Sequence, residues 1–277
     1  MPCSGLLATF GILSNMRLSS IISSRHRDTN QDLLFTVDAS INTTLVITNL
    51  TTSSNYIYSG LIDWGDGSAT TPLVGQLSVE SISHTFASTG TFQVRVSGDS
   101  VPFIGADGQT NVVSLESMGN VGLLSTTTMF RNCTNLVSAK TGNRAPSIGI
   151  SLFFGCTSLT SIQLPSSSPM NISAGAIRGC TSLTNFVISN NFVEILGSAF
   201  RDCTNLASVT IGSGVNNIAT YAFKDCTSLG SISCLATTAP TLGTSVFDSV
   251  PATTIDVPVG ATGYGSTYGG LTVNYVL

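Results

Sequence analysis

Apolar and polar positions follow two different periods in two parts of the chain. Between residues 33 and 97 the runs LFTVDAS (34–40) and TTLVITNL (43–50) alternate apolar with polar residues, which predicts half-buried strands. LIDWGDGSATT (61–71) reads as a strand running into a tight turn, since Asp66-Gly67 suits positive φ. SISHTFASTGTFQVRVSG (81–98) reads as a strand, a turn at Gly90, and a second strand carrying Phe92, Val94 and Val96.

Farther along, a longer period takes over. Cys133, Cys156, Cys180, Cys203 and Cys226 lie 23, 24, 23 and 23 residues apart, and each opens CTNL or CTSL. Three residues before each Cys stands Phe130, Phe153, Ile177, Phe200 or Phe223. After each of the last four comes a strand-like stretch: LTSIQLP, LTNFVIS, LASVTIG and LGSISCL. A second apolar cluster follows, as in Ile195 with Ala199-Phe200 and Ile218 with Ala222-Phe223. Self-similarity at a fixed period predicts a solenoid, in which one repeat cannot bury its apolar face and stacked repeats share a core. The pairs Leu159/Ile162, Leu183/Phe186 and Leu206/Val209 are predicted to point inward. Cys234 falls where Ile188 and Ile211 fall, so it too is expected to be buried.

The cysteines then read as a packing column. Cys is small, apolar enough to bury, and able to donate weakly to a carbonyl. Seven cysteines, five of them in register, do not form a disulfide framework. They predict unpaired thiols and assembly in a reducing compartment.

The segment AFRDCTNLASVTIGSGVNNIATYAFKDCTSL (199–229) resembles the BspA-like leucine-rich repeats, also called the Treponema pallidum type. The resemblance covers residues 126–235. The remainder, 236–277, resembles the closing segment of such proteins, a degenerate repeat followed by a VPVG strand, and implies a C-terminal cap and a complete end. The pair WGDG … HTF…GTFQVRV resembles the PKD domain, an immunoglobulin-like β-sandwich, over residues 31–100. That resemblance implies that Trp64 packs in the core, that Asp66 and Gly67 shape the turn, and that His84 is a structural hydrogen-bonder. A Ca²⁺ site from Asp63 and Asp66 is the alternative. Residues 101–125 resemble a joining segment that would cover the first coil and tie the units rigidly. The expected fold is therefore mainly β: an immunoglobulin-like (PKD) sandwich followed by a short leucine-rich-repeat solenoid.

Composition narrows the function. Charged residues make up 9% of the 277 positions, against about 25% in ordinary soluble chains. Ten Lys+Arg against fourteen Asp+Glu give a net charge of −4, with no basic excess for a nucleic-acid backbone. No apolar run is long enough for a spanning helix. Two isolated His, and the lack of GxSxG, HExxH, CxxC or a phosphate loop, point away from an enzyme and imply no cofactor and no metal. Arg131, Arg178, Arg201 and Lys224 share one repeat position, two before the Cys. They would stack into a row about 5 Å per coil. This row is either a ligand-facing strip for an acidic glycan or lipopolysaccharide, or a solvated edge half balanced by Asp202 and Asp225. Sequons occur at Asn42, Asn49, Asn132 and Asn171.

Residues 1–30 are too short for a domain and show no secretory signal: Arg17, Arg25 and Arg27 follow the apolar run Leu6–Leu13 instead of preceding it. They resemble the N-terminal segments by which phage virion proteins attach to the particle. A strand or short helix packed on the front unit is the competing reading. The expectation is a non-enzymatic virion structural protein of a phage, a fibre, decoration or receptor-binding subunit. It would dock to other virion proteins by its N-terminus, present the solenoid to a host-surface glycan or protein, and act as a homo-oligomer. The alternative is a bacterial or protist cell-surface adhesin of the BspA type.

Overall fold

The computed structural model describes residues 32–48, 58–75, 81–100, 104–119, 127–141, 148–164 and 169–276. Every regular element among them is a strand, and none is a helix. The attachment segment proposed for residues 1–30 lies outside the described residues.

The front unit contains β1 (Leu33–Asp38), β2 (Thr44–Thr48), β3 (Tyr58–Asp63), β4 (Thr71–Gly75), β5 (Ser81–Thr85) and β6 (Thr91–Ser100). Alternation decides which face is buried. Leu33, Phe35 and Val37 of β1 and Leu45 and Ile47 of β2 are buried, while the residues between them are half-buried. β1, β3, β4 and β6 lie in one sheet, with β1–β6, β3–β6 and β3–β4 all antiparallel. β2 and β5 form a separate antiparallel pair, Thr44 opposite Thr85 through Thr48 opposite Ser81.

The larger sheet does not stop at the front unit. β7 (Val112–Ser117) joins β1 antiparallel, β8 (Ser138–Lys140) joins β7 parallel, and β9 (Ser161–Gln163) joins β8 parallel. The order β4-β3-β6-β1-β7-β8-β9 thus runs from the antiparallel unit into the first solenoid coils as one sheet.

Residues 104–111, just before β7, are bonded on both sides. Gly105 and Thr48 exchange backbone hydrogen bonds of 2.8 and 3.0 Å, and the Gln109 side chain accepts from the Val46 amide at 2.9 Å. Toward the solenoid, the Ala106 amide donates to the Met129 carbonyl at 2.6 Å and the Gly108 amide to the Arg131 carbonyl at 2.7 Å. The buried Asn111 amide nitrogen donates to the carbonyls of Asn42 and Thr44 at 2.9 and 3.0 Å. The Phe35 ring of β1 meets Phe130 of the first coil edge-on at 6.0 Å, so the two cores are continuous.

Each later coil carries two strands and a turn block. On one side β10 (Met170–Ile172), β12 (Phe192–Ile195), β14 (Asn217–Ile218) and β16 (Thr241–Leu242) pair in parallel. On another, β11 (Asn185–Ile188), β13 (Ser208–Ile211), β15 (Ser231–Cys234) and β17 (Thr254–Val257) do the same. Asn185 faces Ser208 and Ser208 faces Ser231, so the sheet register equals the cysteine period. The turn blocks need left-handed backbone immediately before each Cys, and Asn132, Gly155, Gly179, Asp202 and Asp225 supply it. These are the residue types that tolerate that region.

At the far end β18 (Thr267–Tyr268) and β19 (Leu271–Tyr275) form an antiparallel pair, with β19 also parallel to β17. Tyr264 and Tyr268 pack on each other and fill this end of the core. Their hydroxyls donate to the carbonyls of Ala236 at 2.8 Å and Pro240 at 2.7 Å, which satisfies the phenols where they are buried.

Candidate functional site

The thiol column is packing chemistry. Cys133, Cys156, Cys180, Cys203 and Cys226 are free and fully buried. Each S–H donates to the carbonyl of the preceding coil: Ala106, Phe130, Phe153, Ile177 and Phe200, at 2.9, 3.0, 3.2, 3.1 and 3.1 Å. In the last four the acceptor is the aromatic or Ile that stands three residues before the previous Cys. Burial pushes Cys156 and Cys203 up to about 12 despite the backbone amides near them, and moves the other three upward too. Thiols held protonated are neither nucleophiles nor metal ligands at neutral pH. The predicted inward side chains are buried, with Ile162 half-buried against the core. Cys234 is buried as well, with its sulfur 3.3 Å from the Tyr264 hydroxyl oxygen.

The WGDG turn is equally self-contained. Trp64 is 1% exposed, stacks on His84 at 4.6 Å and donates from its indole to Thr71 at 3.0 Å. His84 bonds Asp66 at 2.7 Å. Asp66 also accepts from the Ser68 amide, and Asp63 from the Gly65 amide. Burial acts to raise the Asp66 pKa, but the Ser68 hydroxyl and amide and the His84 ring outweigh it and hold it at about 2. Both carboxylates are thus occupied in shaping the turn. Among the described residues no three His, Cys, Asp or Glu side chains group to hold an ion.

The four cations do stack along one turn edge, and each has a carboxylate partner. Arg131 grips Asp107 through two nitrogens at 2.6 and 2.9 Å, and Arg178 donates to Asp202 at 2.9 Å. The next two contacts are looser. Arg201 lies 3.7 Å from Asp202 and 3.6 Å from Asp225, and Lys224 lies 3.9 Å from Asp248. Asp107 and Asp248 complete a balance in which Asp202 and Asp225 had been the only visible partners. Each stands one period of 24 residues beyond an end of the row, in a coil that no Cys marks. Two aromatic rings also join the row: Arg178 sits over Phe154 at 5.4 Å, and Arg201 and Lys224 over Tyr221 at 5.8 and 5.3 Å. The signal for Tyr221 was available, since Thr128, Ser151, Gly175, Ser198 and Ser245 fill its place in other coils. One bulky ring among small residues is an outlier of the alignment.

The second exposed surface is the outer face of the β11–β17 sheet. Asn185, Ser208, Ser231 and Thr254 form one outward row; Val187, Thr210, Ser233 and Asp256 form the other. Apart from Val187 the rows are hydrogen-bonding, and apart from Asp256 they are uncharged. Ser208 donates to Asn185 at 2.6 Å along the row.

Residues 126–260 match the BspA type leucine rich repeat region, in six copies. The match extends past the fifth Cys to take in the coil of Phe247, whose ring stacks on Phe223 at 5.8 Å. A crystal structure of a T. pallidum leucine rich repeat protein is 27% identical, covering 50% of this chain and 70% of that one, with a TM-score of 0.35. A leucine-rich repeat protein from Bacteroides ovatus is 16% identical over 55% of this chain and 48% of that one, with a TM-score of 0.26. No curated protein matches the chain. The repeat region is thus of the BspA type, and the fold is an all-β solenoid with an antiparallel unit at its front.

Proposed function

We propose that this chain is a non-enzymatic attachment protein whose solenoid presents an extended recognition surface while the front unit holds it in a fixed direction. The carrying observation is the parallel-sheet face. Asn, Ser and Thr rows with backbone fixed on both sides form a preorganised hydrogen-bonding surface suited to sugars. Individual contacts of this kind are weak, and many copies would supply the avidity. The chemistry of the buried groups agrees: the thiols are protonated, and the His84–Asp66 pair is spent on a turn under Trp64.

The front unit is, on this reading, a PKD-like sandwich. Its WGDG…HTF signature, the buried Trp64 and the two-sheet division support that assignment. The carrier is a phage particle, with residues 1–30 as the dock to other virion proteins and the protein oligomeric on the virion surface. A cell-surface adhesin is the second reading, favoured by the BspA-type repeat region itself. Density-gradient fractionation of source material with peptide mass spectrometry tests the two. Migration with DNA-filled particles at fixed stoichiometry supports the virion role, and recovery with cell envelope supports the adhesin. Recovery with soluble cytosol alone refutes both.

A further inference from the structure

Within the cation row, the two ends differ in kind. At Arg131 and Arg178 the charge is closed by hydrogen bonds to Asp107 and Asp202 of 2.6–2.9 Å. At Arg201 and Lys224 it is not. The Arg201 Nε–H is shielded from solvent and has no hydrogen-bond acceptor. Its nearer carboxylates stand at 3.6 and 3.7 Å, and one of them, on Asp202, already serves Arg178. Lys224 reaches only the exposed Asp248, at 3.9 Å. These contacts exceed hydrogen-bond length.

Both of these open cations lie over the ring of Tyr221, which is 39% exposed and has φ of +63°. A bulky residue in the left-handed region carries strain of about 1–2 kcal/mol by general precedent, and such strain collects at ligand sites. Thr128, Ser151, Ser198 and Ser245 hold the same left-handed position in other coils and Gly175 in one, so what sets Tyr221 apart is the exposed ring. Nothing in the core needs the ring, because it points away from the Phe200–Phe223–Phe247 stack and stays half out of the surface.

We infer that Tyr221, Arg201 and Lys224 form a binding site for the acid group of an anionic saccharide. This rests on the attachment reading above and names the ligand class and the place. The acid group, carboxylate or sulfate, takes the outer guanidinium nitrogens of the part-exposed Arg201 side chain and the Lys224 ammonium. The Tyr221 ring gives the adjoining sugar an apolar wall and a phenol to bond. Because only long ion pairs are displaced, the competing carboxylates of Asp225 and Asp248 cost the ligand little. Arg131 and Arg178 take no part, since a ligand would have to break closed hydrogen bonds to reach them. The chain's net charge of −4 means that no long-range field aids the encounter, so selectivity comes from the local pair.

Calorimetry of the full chain tests the site, with sialyllactose, a galacturonate oligomer and a heparin-derived tetrasaccharide as probes and maltotetraose as neutral control. The expected result is binding of one or more acidic probes, weakened by added salt. Which probe binds separates carboxylate from sulfate. Tyr221→Gly should bind roughly tenfold more weakly or worse, for a lost ring contact of the usual size, while melting no lower than the parent because the left-handed strain is gone. The Arg201→Gln/Lys224→Gln double variant should abolish binding, and Arg131→Gln should leave it unchanged. The inference is overturned if no acidic probe binds, if maltotetraose binds as well, or if Arg131→Gln weakens binding as much as the double variant. Should Tyr221→Gly fail to fold, the double variant and the Arg131→Gln control decide alone. A protein that fractionates with particles or envelope yet binds no acidic probe loses this site and keeps its attachment role.

Discussion

Replacing Cys203 with Ser exchanges one buried S–H donor for an O–H in an otherwise unchanged coil. Cys203 is fully buried, and its S–H meets the Ile177 carbonyl at 3.1 Å. The shorter C–O bond draws the donor back from that carbonyl and opens a small void where sulfur had filled the column. Moving a hydroxyl into such surroundings costs about 1–3 kcal/mol by mutational precedent. A buried hydrogen bond returns about 1 kcal/mol when its geometry is good, and here it is stretched. The net expectation is a loss of roughly 1–2 kcal/mol, read by urea denaturation. Thiol labelling supplies an independent readout. A thiol held near 12 stays protonated at pH 8, so native Cys203 should react only through opening of the coil, and the Ser variant should speed labelling of Cys180 and Cys226 on either side. Rapid labelling of all five column thiols in the native protein, or an unchanged denaturation midpoint in the variant, refutes the buried-column argument.

Trp64→Ala should cost about 3–5 kcal/mol, as for other fully buried aromatics, and unfold the front unit; an unchanged melting curve refutes the core assignment. Gly65 and Gly67 both have positive φ, but a Cβ at Gly65 would lie 2.4 Å from the Gln93 carbonyl oxygen, while at Gly67 nothing lies within 4 Å. Gly67→Ala should therefore cost about 1–2 kcal/mol and Gly65→Ala distinctly more, by chemical denaturation; equal losses would mean that the turn does not press on β6. Asp66 is held at about 2 against an ordinary 3.8. A depressed carboxylate contributes stability that is full above the unfolded pKa and lost as pH falls through the folded one. Front-unit melting should fall between pH 3.8 and about 2, and Asp66→Asn should flatten that slope; a slope unchanged in the variant would assign the acid sensitivity elsewhere. The Cys column runs the other way: a raised thiol pKa is stabilising below the unfolded value of 9.0 and is lost as pH rises toward about 12. Alkaline melting should therefore weaken across that window, and less so in Cys203→Ser.

How much of this was readable depended on the distance over which each interaction is encoded. The solenoid is written locally. A period of 23 or 24 places Asn185 beside Ser208 and Ser208 beside Ser231, so cysteine spacing alone yields the strand register and the inward residues. The carbonyl acceptors follow from the same arithmetic, whereas the left-handed backbone at Asn132, Asp202 and Asp225 came only with the turn geometry. The junction is written over longer range. Nothing in VVSLES (112–117) says that it turns one edge antiparallel to β1 and the other parallel to β8. The charge row lay between these cases. Asp202 and Asp225 stand next to Arg201 and Lys224 in sequence, but Asp202 is hydrogen-bonded to Arg178 and Asp225 contacts Arg201, one coil earlier. Asp107 lies one period before Arg131, where no Cys marks the coil. Tyr221 was legible as a misfit but had no role until its two cations were seen above the ring.

The continuous sheet from β4 to β9 has a mechanical consequence. A load entering at the front unit and leaving through the repeats crosses no swivel, because β1, β7 and β8 share backbone hydrogen bonds side by side. Gln109 and Asn111 brace the same crossing from the β2 side. The molecule transmits torque as a single cantilever: turning its front turns the cation edge and the polar sheet by the same angle. On a flowing or colliding surface, the bearing of the recognition faces is then set by how the front is held.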